Sequence, residues 1–322
     1  MLRHHRREAS VAIAIGALAL VLAAAAPGYF SAENLSDLFL ANMPVLVVAL
    51  GATLVMLAGE IDISVGSAFA ICGVAAGVAA KDLSLGMPVA AAALAACAAG
   101  GLLGALNGVL VAYFRIPSIV VTLATMVALR DALRWSTEGA WIENLPRSFQ
   151  WLGLTQASYP AVTFAGVASL TALLAWTLRH LAAGRAIYAT GSNADAARLA
   201  GFDVALVKWS VFAAAGALTG LAALLNSVRF NQIPSNAGLG LEMKVIAAVV
   251  VGGTSITGGR GTLVGTVLGV VLLGAIGPAL TFLGVSAYWE RAIQGAIILT
   301  GVAADAIRAR ANKDVPQLAA TA

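Results

Sequence analysis

The sequence predicts an all-α fold, a polytopic membrane helix bundle of about ten transmembrane helices. Three observations carry that reading. The 322 residues are 60% hydrophobic and only 11% charged, with a mean hydropathy of +0.91, whereas soluble domains run near 25% charged. The apolar residues gather into runs of roughly 17–25, the length a helix needs to cross the hydrocarbon core. The basic residues concentrate in alternate islands between those runs, which gives the chain a sidedness.

The runs, in order, are Ser10–Ala26, Leu38–Ala58, Ile63–Ala80, Met87–Ala112, Pro117–Leu133, Pro160–Leu178, Ala205–Val228, Leu241–Ile256, Thr262–Leu283 and Trp289–Ala306. The third and eighth are the weakest, being short or interrupted by glycine. The first follows Arg3, Arg6 and Arg7 and ends in Ala24-Ala25-Ala26, features a cleaved signal peptide shares. Nine further spans can insert without it, so the first run is read as a retained span. Residues 1–9 form a cytoplasmic N-terminus, 10–307 a single membrane domain, and 308–322 a cytoplasmic, disordered tail.

Orientation follows from charge. With the N-terminus inside, Arg3, Arg6, Arg7, Arg115, Arg179, Arg185, Arg198, Lys208, Arg260, Arg308, Arg310 and Lys313 lie on the cytoplasmic side. Lys81, Arg134, Arg147 and Arg229 face outward. The bias predicts an N-in, C-in protein. The same loops account for the net charge of +4 and the pI near 9.3, so no nucleic-acid partner is implied. Lipid surrounds the bundle. Gly100, Gly104 and Gly108, and again Gly261, Gly265 and Gly269, recur at four-residue intervals and let helix backbones pack closely. Trp135, Trp141, Trp151 and Tyr159 in the long outer loop suit an aromatic interface belt.

The segment 184–208 is a polar island among these spans. Ser192, Asn193 and Asp195 can cap a helix start, and Asp195 stands three residues after Ser192, the capping-box spacing. Arg198 in the last turn and Gly201 just beyond form the matching stop. The result is a helix of about two turns, roughly 12 Å long. Too short to span, it lies on the cytoplasmic face and displays Asp195, Ala196, Ala197 and Arg198 to a partner.

Other chemistry is sparse. His4, His5 and His180 lie at the N-terminus or a helix end, so no histidine sits inside a span to ligate a metal or act as a base. Cys72 and Cys97 lie in apolar runs without C-x-x-C spacing and read as small buried hydrophobes. The run from Gly252 to Gly261 superficially resembles a phosphate cradle, but Gly259 stands where a Walker lysine belongs. It reads as a tight interhelical turn. Glu60 and Asp62 lie between the second and third runs, where ionisable groups line a pathway or pair with a partner. Asp62 with Ser64 also makes a sensible cap for the third span. Glu242 and Lys244 are two residues apart and cannot face each other on a helix, so each needs another partner. Asn107 and Asn226 are polar within apolar spans. Glu60, Asp62, Ser64, Asn107, Asn226 and Lys244 are therefore candidates for a translocation path.

Taken together and in order, four stretches resemble the permease subunits of the ribose/xylose/autoinducer-2 group of ABC importers. They are Gly59–Ser67 (GEIDISVGS), Asn107–Val111 with Ile116–Thr125, Tyr188–Gly201 (YATGSNADAARLAG), and Gly240–Gly269. Gly51–Leu57, Gly139–Pro146 and Phe230–Met243 look most like the autoinducer-2 and rhamnose importer permeases. Where that group usually has Gly-Gly-Ile-Asp, this chain has Gly59-Glu60-Ile61-Asp62, which adds a carboxylate. The resemblance implies a transport subunit without its own ATPase site and with no cofactor of its own. ATP and Mg would be bound by two partner ATPase subunits. It further implies a second permease copy or a sister permease, a periplasmic sugar-binding protein, and residence in the bacterial inner membrane. The helix at Asn193–Ala200 would be the coupling helix that engages the ATPase.

An ion-coupled secondary sugar transporter is the alternative. It would need buried ionisable residues to bind its ion, and the spans are nearly bare of them. A membrane enzyme would need a nucleophile–base pair or metal-ligand spacing, and the sequence offers neither. A passive channel would have no use for the cytoplasmic helix.

Overall fold

The computed structural model describes residues 2–82, 87–286 and 288–300. Among them all regular structure is helical, apart from one antiparallel bridge between Ile142 and Ile233. The helices are α1 (Leu2–Ala25), α2 (Ala32–Leu57), α3 (Val65–Asp82), α4 (Pro88–Ala112), α5 (Ser118–Thr137), α6 (Tyr159–His180), α7 (Ala182–Ser192), α8 (Ala194–Leu199), α9 (Val204–Ser227), α10 (Leu241–Val251) and α11 (Leu263–Phe282). A last helical stretch covers 289–300.

Local sequence fixes where these helices start. Ser31 caps α2 by accepting from Asn34 N–H at 3.3 Å, Asp203 caps α9 through Leu206 N–H at 3.0 Å, and Thr262 caps α11 through Gly265 N–H at 3.0 Å. Each satisfies an N–H that the first turn cannot. α2 is apolar on every side from Val45 to Leu57 and is buried throughout that stretch, as a helix without a polar face must be. It forms the centre of the bundle, against α9, α11 and α10.

α4 and α9 make the closest seam. Gly100 and Gly104 of α4 face Gly216, Gly220 and Phe212 of α9, and a Cβ added at any of these glycines would collide with the opposing main chain. The first glycine stripe thus serves packing within the chain. The second does the same between α10 and α11, where Gly265 meets Gly252 and Gly269 meets Ala248.

Among the described residues, seven helices are long and apolar enough to cross a membrane: α1 from Glu8, α2, α3, α4, α6, α9 and α11. Two of the other three expected spans fall short of that standard. α5 has the length but carries Arg130, Asp131 and Arg134. α10 has eleven residues, about 16 Å at 1.5 Å per residue and half of the hydrocarbon core. The tenth span runs past residue 300, so its end, like the expected tail at 308–322, lies outside the described residues.

The connecting segments gather at two ends. Glu8 receives a hydrogen bond from Thr262, Leu57 O accepts from Gly259 N–H, and Ser118 Oγ accepts from Ile61 N–H. These bonds bring the start of α1, the linkers 58–64 and 252–262, and the start of α5 to the end that also carries α7 and α8. At the opposite end Tyr29 packs edge-on against Phe282, their ring centres 5.6 Å apart, and Trp151 N–H reaches Val228 O at 2.8 Å. The expected aromatic belt is only partly realised. Trp135 and Trp141 are exposed, but Tyr159 is buried and its hydroxyl donates to Leu225 O at 2.8 Å.

Candidate functional site

α8 is largely exposed: of its six residues only Ala194 and Ala197 are not. Asn193, in extended conformation, accepts from the N–H groups of both Asp195 and Ala196 at 3.0 Å, so Asn193 is the N-cap. Ser192 is instead the last residue of α7, and the expected capping box from Ser192 is not formed. At the other terminus Gly201 adopts the left-handed conformation, φ +85°, that closes a helix. Arg198 and Asp195 form an ion pair along the outer face. Ala197 is buried and anchors the helix, whereas Leu199 is 91% exposed. A large apolar side chain on an otherwise polar surface helix is poorly placed in water and well placed in an interface.

α7 sits directly behind α8 and was not anticipated from the sequence. It carries Gly191, whose missing side chain lets the chain press against Leu57 O and Gly259 N. Tyr188 of the same helix donates to Gly261 O at 2.9 Å. α7 therefore joins α8 to the end of α2 and to the glycine-rich turn. That turn is the tight connection expected of it: Gly253, Gly258 and Gly259 all have positive φ, and Ser255 N–H donates to Arg260 O at 2.8 Å.

Just beneath lies the linker 58–64, which holds three of the path candidates. Glu60 is ion-paired with Lys208 in the first turns of α9. Ile61 is fixed at both backbone groups, its N–H by Ser118 Oγ at 3.2 Å and its C=O by Thr122 Oγ1 at 3.4 Å. Asp62, 7% exposed, accepts from Ser64 N–H at 2.8 Å and from Ser64 Oγ at 2.6 Å. Asn107 of α4 donates to Ser64 Oγ at 2.9 Å. Asp62, Ser64 and Asn107 thus form one chain that starts α3 and ties it to α4. Asp62 holds Ser64 immediately before α3, and Glu60, paired with Lys208, also lines a cavity of about 410 Å³ with Arg115, Arg198 and Asp203.

The remaining candidates lie elsewhere. Asn226 lines a cavity of about 380 Å³ with Phe69, Phe230 and Gln232. Lys244 stands 3.8 Å from Glu290 Oε1, and Glu242 stands 3.7 Å from Arg130 on α5. Both residues of the Glu242/Lys244 doublet have therefore found separate partners, one on each side of α10. Lys208, Arg130, Glu290 and Gln294 escaped the sequence reading as site residues. Their signal was the rule that charges inside a bundle need partners, which says that a partner exists without saying which.

A family model described as branched-chain amino acid transport system, permease component, matches residues 34–302. The autoinducer 2 import system permease protein LsrC of Enterobacter sp. (strain 638) is 41% identical over 295 residues, 91% of this chain and 84% of that protein. LsrC of Salmonella typhi is 38% identical over 302 residues, 92% of this chain and 84% of that protein. The Klebsiella pneumoniae protein of the same name is 40% identical over 295 residues, with 91% and 84% covered. No solved structure matches the chain. A family match running from the start of α2 to the last described helix, with relatives this similar along almost all of the chain, makes it a member of the branched-chain amino acid transport system permease component family.

Proposed function

We propose that this chain is the membrane-spanning permease subunit of an ATP-driven ABC importer. Its solute is of monosaccharide type, autoinducer-2 or a rhamnose-like sugar, delivered by a periplasmic binding protein across the inner membrane. Two ATPase subunits act from the cytoplasm, and a second permease, identical or a sister chain, completes the path. The carrying observation is α8: a six-residue helix capped at both ends, with the Asp195–Arg198 ion pair and Leu199 exposed, and backed by α7 against two linkers. Its end of the bundle is rich in cations, Arg115, Arg185, Arg198, Lys208 and Arg260 among them, which favours the cytoplasm. A helix in that position can bias the bundle only through a partner that binds its two states differently. A nucleotide-driven ATPase is such a partner. The relatives named above, all autoinducer 2 import permeases, support the solute class.

Ala197→Pro tests the coupling role. Proline removes the Ala197 N–H bond to Asn193 O, 2.9 Å in the native helix, and costs about 3 kcal/mol within a helix. The expected result is uptake of labelled autoinducer 2 at background, with membrane abundance unchanged. Normal uptake by this variant would exclude α8 as the lever. Uptake that persists in vesicles without the ATPase subunits would favour an ion-coupled transporter instead.

A further inference from the structure

The cavity of about 410 Å³ that Glu60 lines lies between the α4–α5 turn, the end of α8 and the start of α9. Its charged lining is Glu60, Arg115, Arg198, Asp203 and Lys208. Two of the three cations are already matched, Lys208 by Glu60 and Arg198 by Asp195, which stands outside the lining. Arg115 and Asp203 remain. Among the described residues neither forms an ion pair, and they do not pair with each other. Asp203 accepts from Leu206 N–H as the cap of α9. Arg115 takes the left-handed conformation, φ +58°, which a long side chain rarely adopts. Backbone outliers of this kind cluster where ligands are clamped.

The surface beside the cavity is apolar. Tyr113 and Phe114, between the lining residues Ala112 and Arg115, are 54% and 68% exposed. Leu102, Leu106 and Tyr113, all exposed, share the side of α4 turned away from the Gly100–Gly104–Gly108 stripe. From Leu102 to Tyr113 this strip runs about 16 Å at 1.5 Å per residue. That is the depth of one leaflet, half of a hydrocarbon core about 30 Å thick.

We infer that this cavity seats the headgroup of a phosphatidylethanolamine-type lipid, with its acyl chains along the exposed strip of α4. The phosphate accepts from the Arg115 guanidinium while the ammonium donates to the Asp203 carboxylate. Basic pockets between membrane helices take lipid headgroups, and here the carboxylate selects among them. An anionic headgroup would set its charge against Asp203 with nothing to offset it. A choline headgroup buries its positive charge under methyl groups and has no N–H to donate. Free phosphate would enter the cavity and leave the strip uncovered. An acidic side chain of an ATPase subunit would match Arg115 and leave Asp203 without a partner. Arg198 of α8 lines the same cavity, so the seated headgroup borders the coupling helix.

The test uses the full chain, purified in detergent with and without its ATPase subunits and stripped of lipid. Phosphatidylethanolamine, phosphatidylcholine and phosphatidylglycerol of identical acyl chains are added in turn, as is inorganic phosphate. Native mass spectrometry counts the lipids retained per chain, and the thermal midpoint reports their effect. Wild type should retain one more ethanolamine lipid than choline or glycerol lipid, and inorganic phosphate should leave the midpoint unchanged. Arg115→Asn removes the cation, and asparagine tolerates the left-handed backbone. It should weaken that retention about tenfold, roughly the worth of one hydrogen bond to a charged group. Asp203→Asn keeps the α9 cap and removes the charge, so ethanolamine and choline lipids should be retained equally. Equal retention of the three lipids by wild type, preference for the glycerol lipid, or stabilisation by inorganic phosphate would overturn the site. So would variants that behave as wild type. Loss of the lipid when the ATPase subunits bind would give the cavity to the ATPase instead. Asp203→Asn carries the test should Arg115→Asn fail to accumulate.

Discussion

The α4–α9 seam and the linker 58–64 lie in the same bundle and are held by opposite means. The seam works through what is missing. Gly100, Gly104, Gly216 and Gly220 bring two backbones into contact without a side chain between them. The linker works through what is added: Glu60 to Lys208, Ile61 to Ser118 and Thr122, and Asp62 through Ser64 to Asn107. A close-packed seam of this kind has one geometry and resists graded deformation. Side-chain bonds can be exchanged for others at modest net cost. The seam therefore serves as the frame, and the linker, next to α7 and α8, is held by bonds of the exchangeable kind.

The largest effect belongs to the frame. Gly216→Ala places a methyl against Gly100 O and the Gly104 backbone, and overpacking of this kind costs about 1–3 kcal/mol, with backbone contacts at the upper end. Gly101→Ala is the matched control, because a Cβ there meets only the Ala217 methyl at 3.7 Å and the Ala213 carbonyl at 3.9 Å. It should be neutral or stabilise by roughly 0.5–1 kcal/mol, as alanine favours a helix over glycine. Thermal unfolding in detergent should rank Gly101→Ala at or above wild type and Gly216→Ala well below. Equal midpoints for the two variants would remove close approach as the reason for the seam.

The same contrast explains what the sequence made legible. Glycine spacing announces a seam, because the missing side chains are themselves the cause. Asn193, Arg198 and Gly201 announced α8 for a similar reason, since caps are local chemistry. The partners of Glu60, Glu242 and Lys244 were hidden, because each lies on a different helix and pairing depends on how the helices are arranged. α7 was missed because Gly184 and Gly191 lower helix propensity. There the need for close approach, Gly184 to Leu178 and Gly191 to Leu57, outweighs propensity. α10 was drawn too long because apolar character continues into Gly252 while the helix stops at Val251.

A middle-sized effect tests the linker's ion pair. Glu60 and Lys208 side chains are 12% and 22% exposed, so neither charge is fully screened by water. Lys208→Met leaves the Glu60 carboxylate unpaired and should destabilise by roughly 1–3 kcal/mol, less than for a fully buried pair. Adding Glu60→Gln removes the stranded charge and should restore most of that loss. The double-mutant cycle isolates the pair because each change deletes the interaction without a new one. Additive losses would mean that the two side chains do not hold the linker to α9.

The smallest effect is expected at Asp62, and it separates two roles for the same carboxylate. Asp62→Asn keeps an acceptor oxygen where Ser64 N–H and Ser64 Oγ now donate at 2.8 and 2.6 Å. Asparagine caps nearly as well as aspartate. Uptake within about twofold of wild type is therefore expected, since a change below ~0.5 kcal/mol alters a rate by little more than that. Asp62→Ala deletes the acceptor and leaves two buried donors unsatisfied, at about 1–3 kcal/mol. It should lower stability measurably where the asparagine variant does not. Should Asp62→Asn instead accumulate normally and fail in uptake, the charge itself would be what matters. The linker would then belong to the path and not only to the joint that opens it.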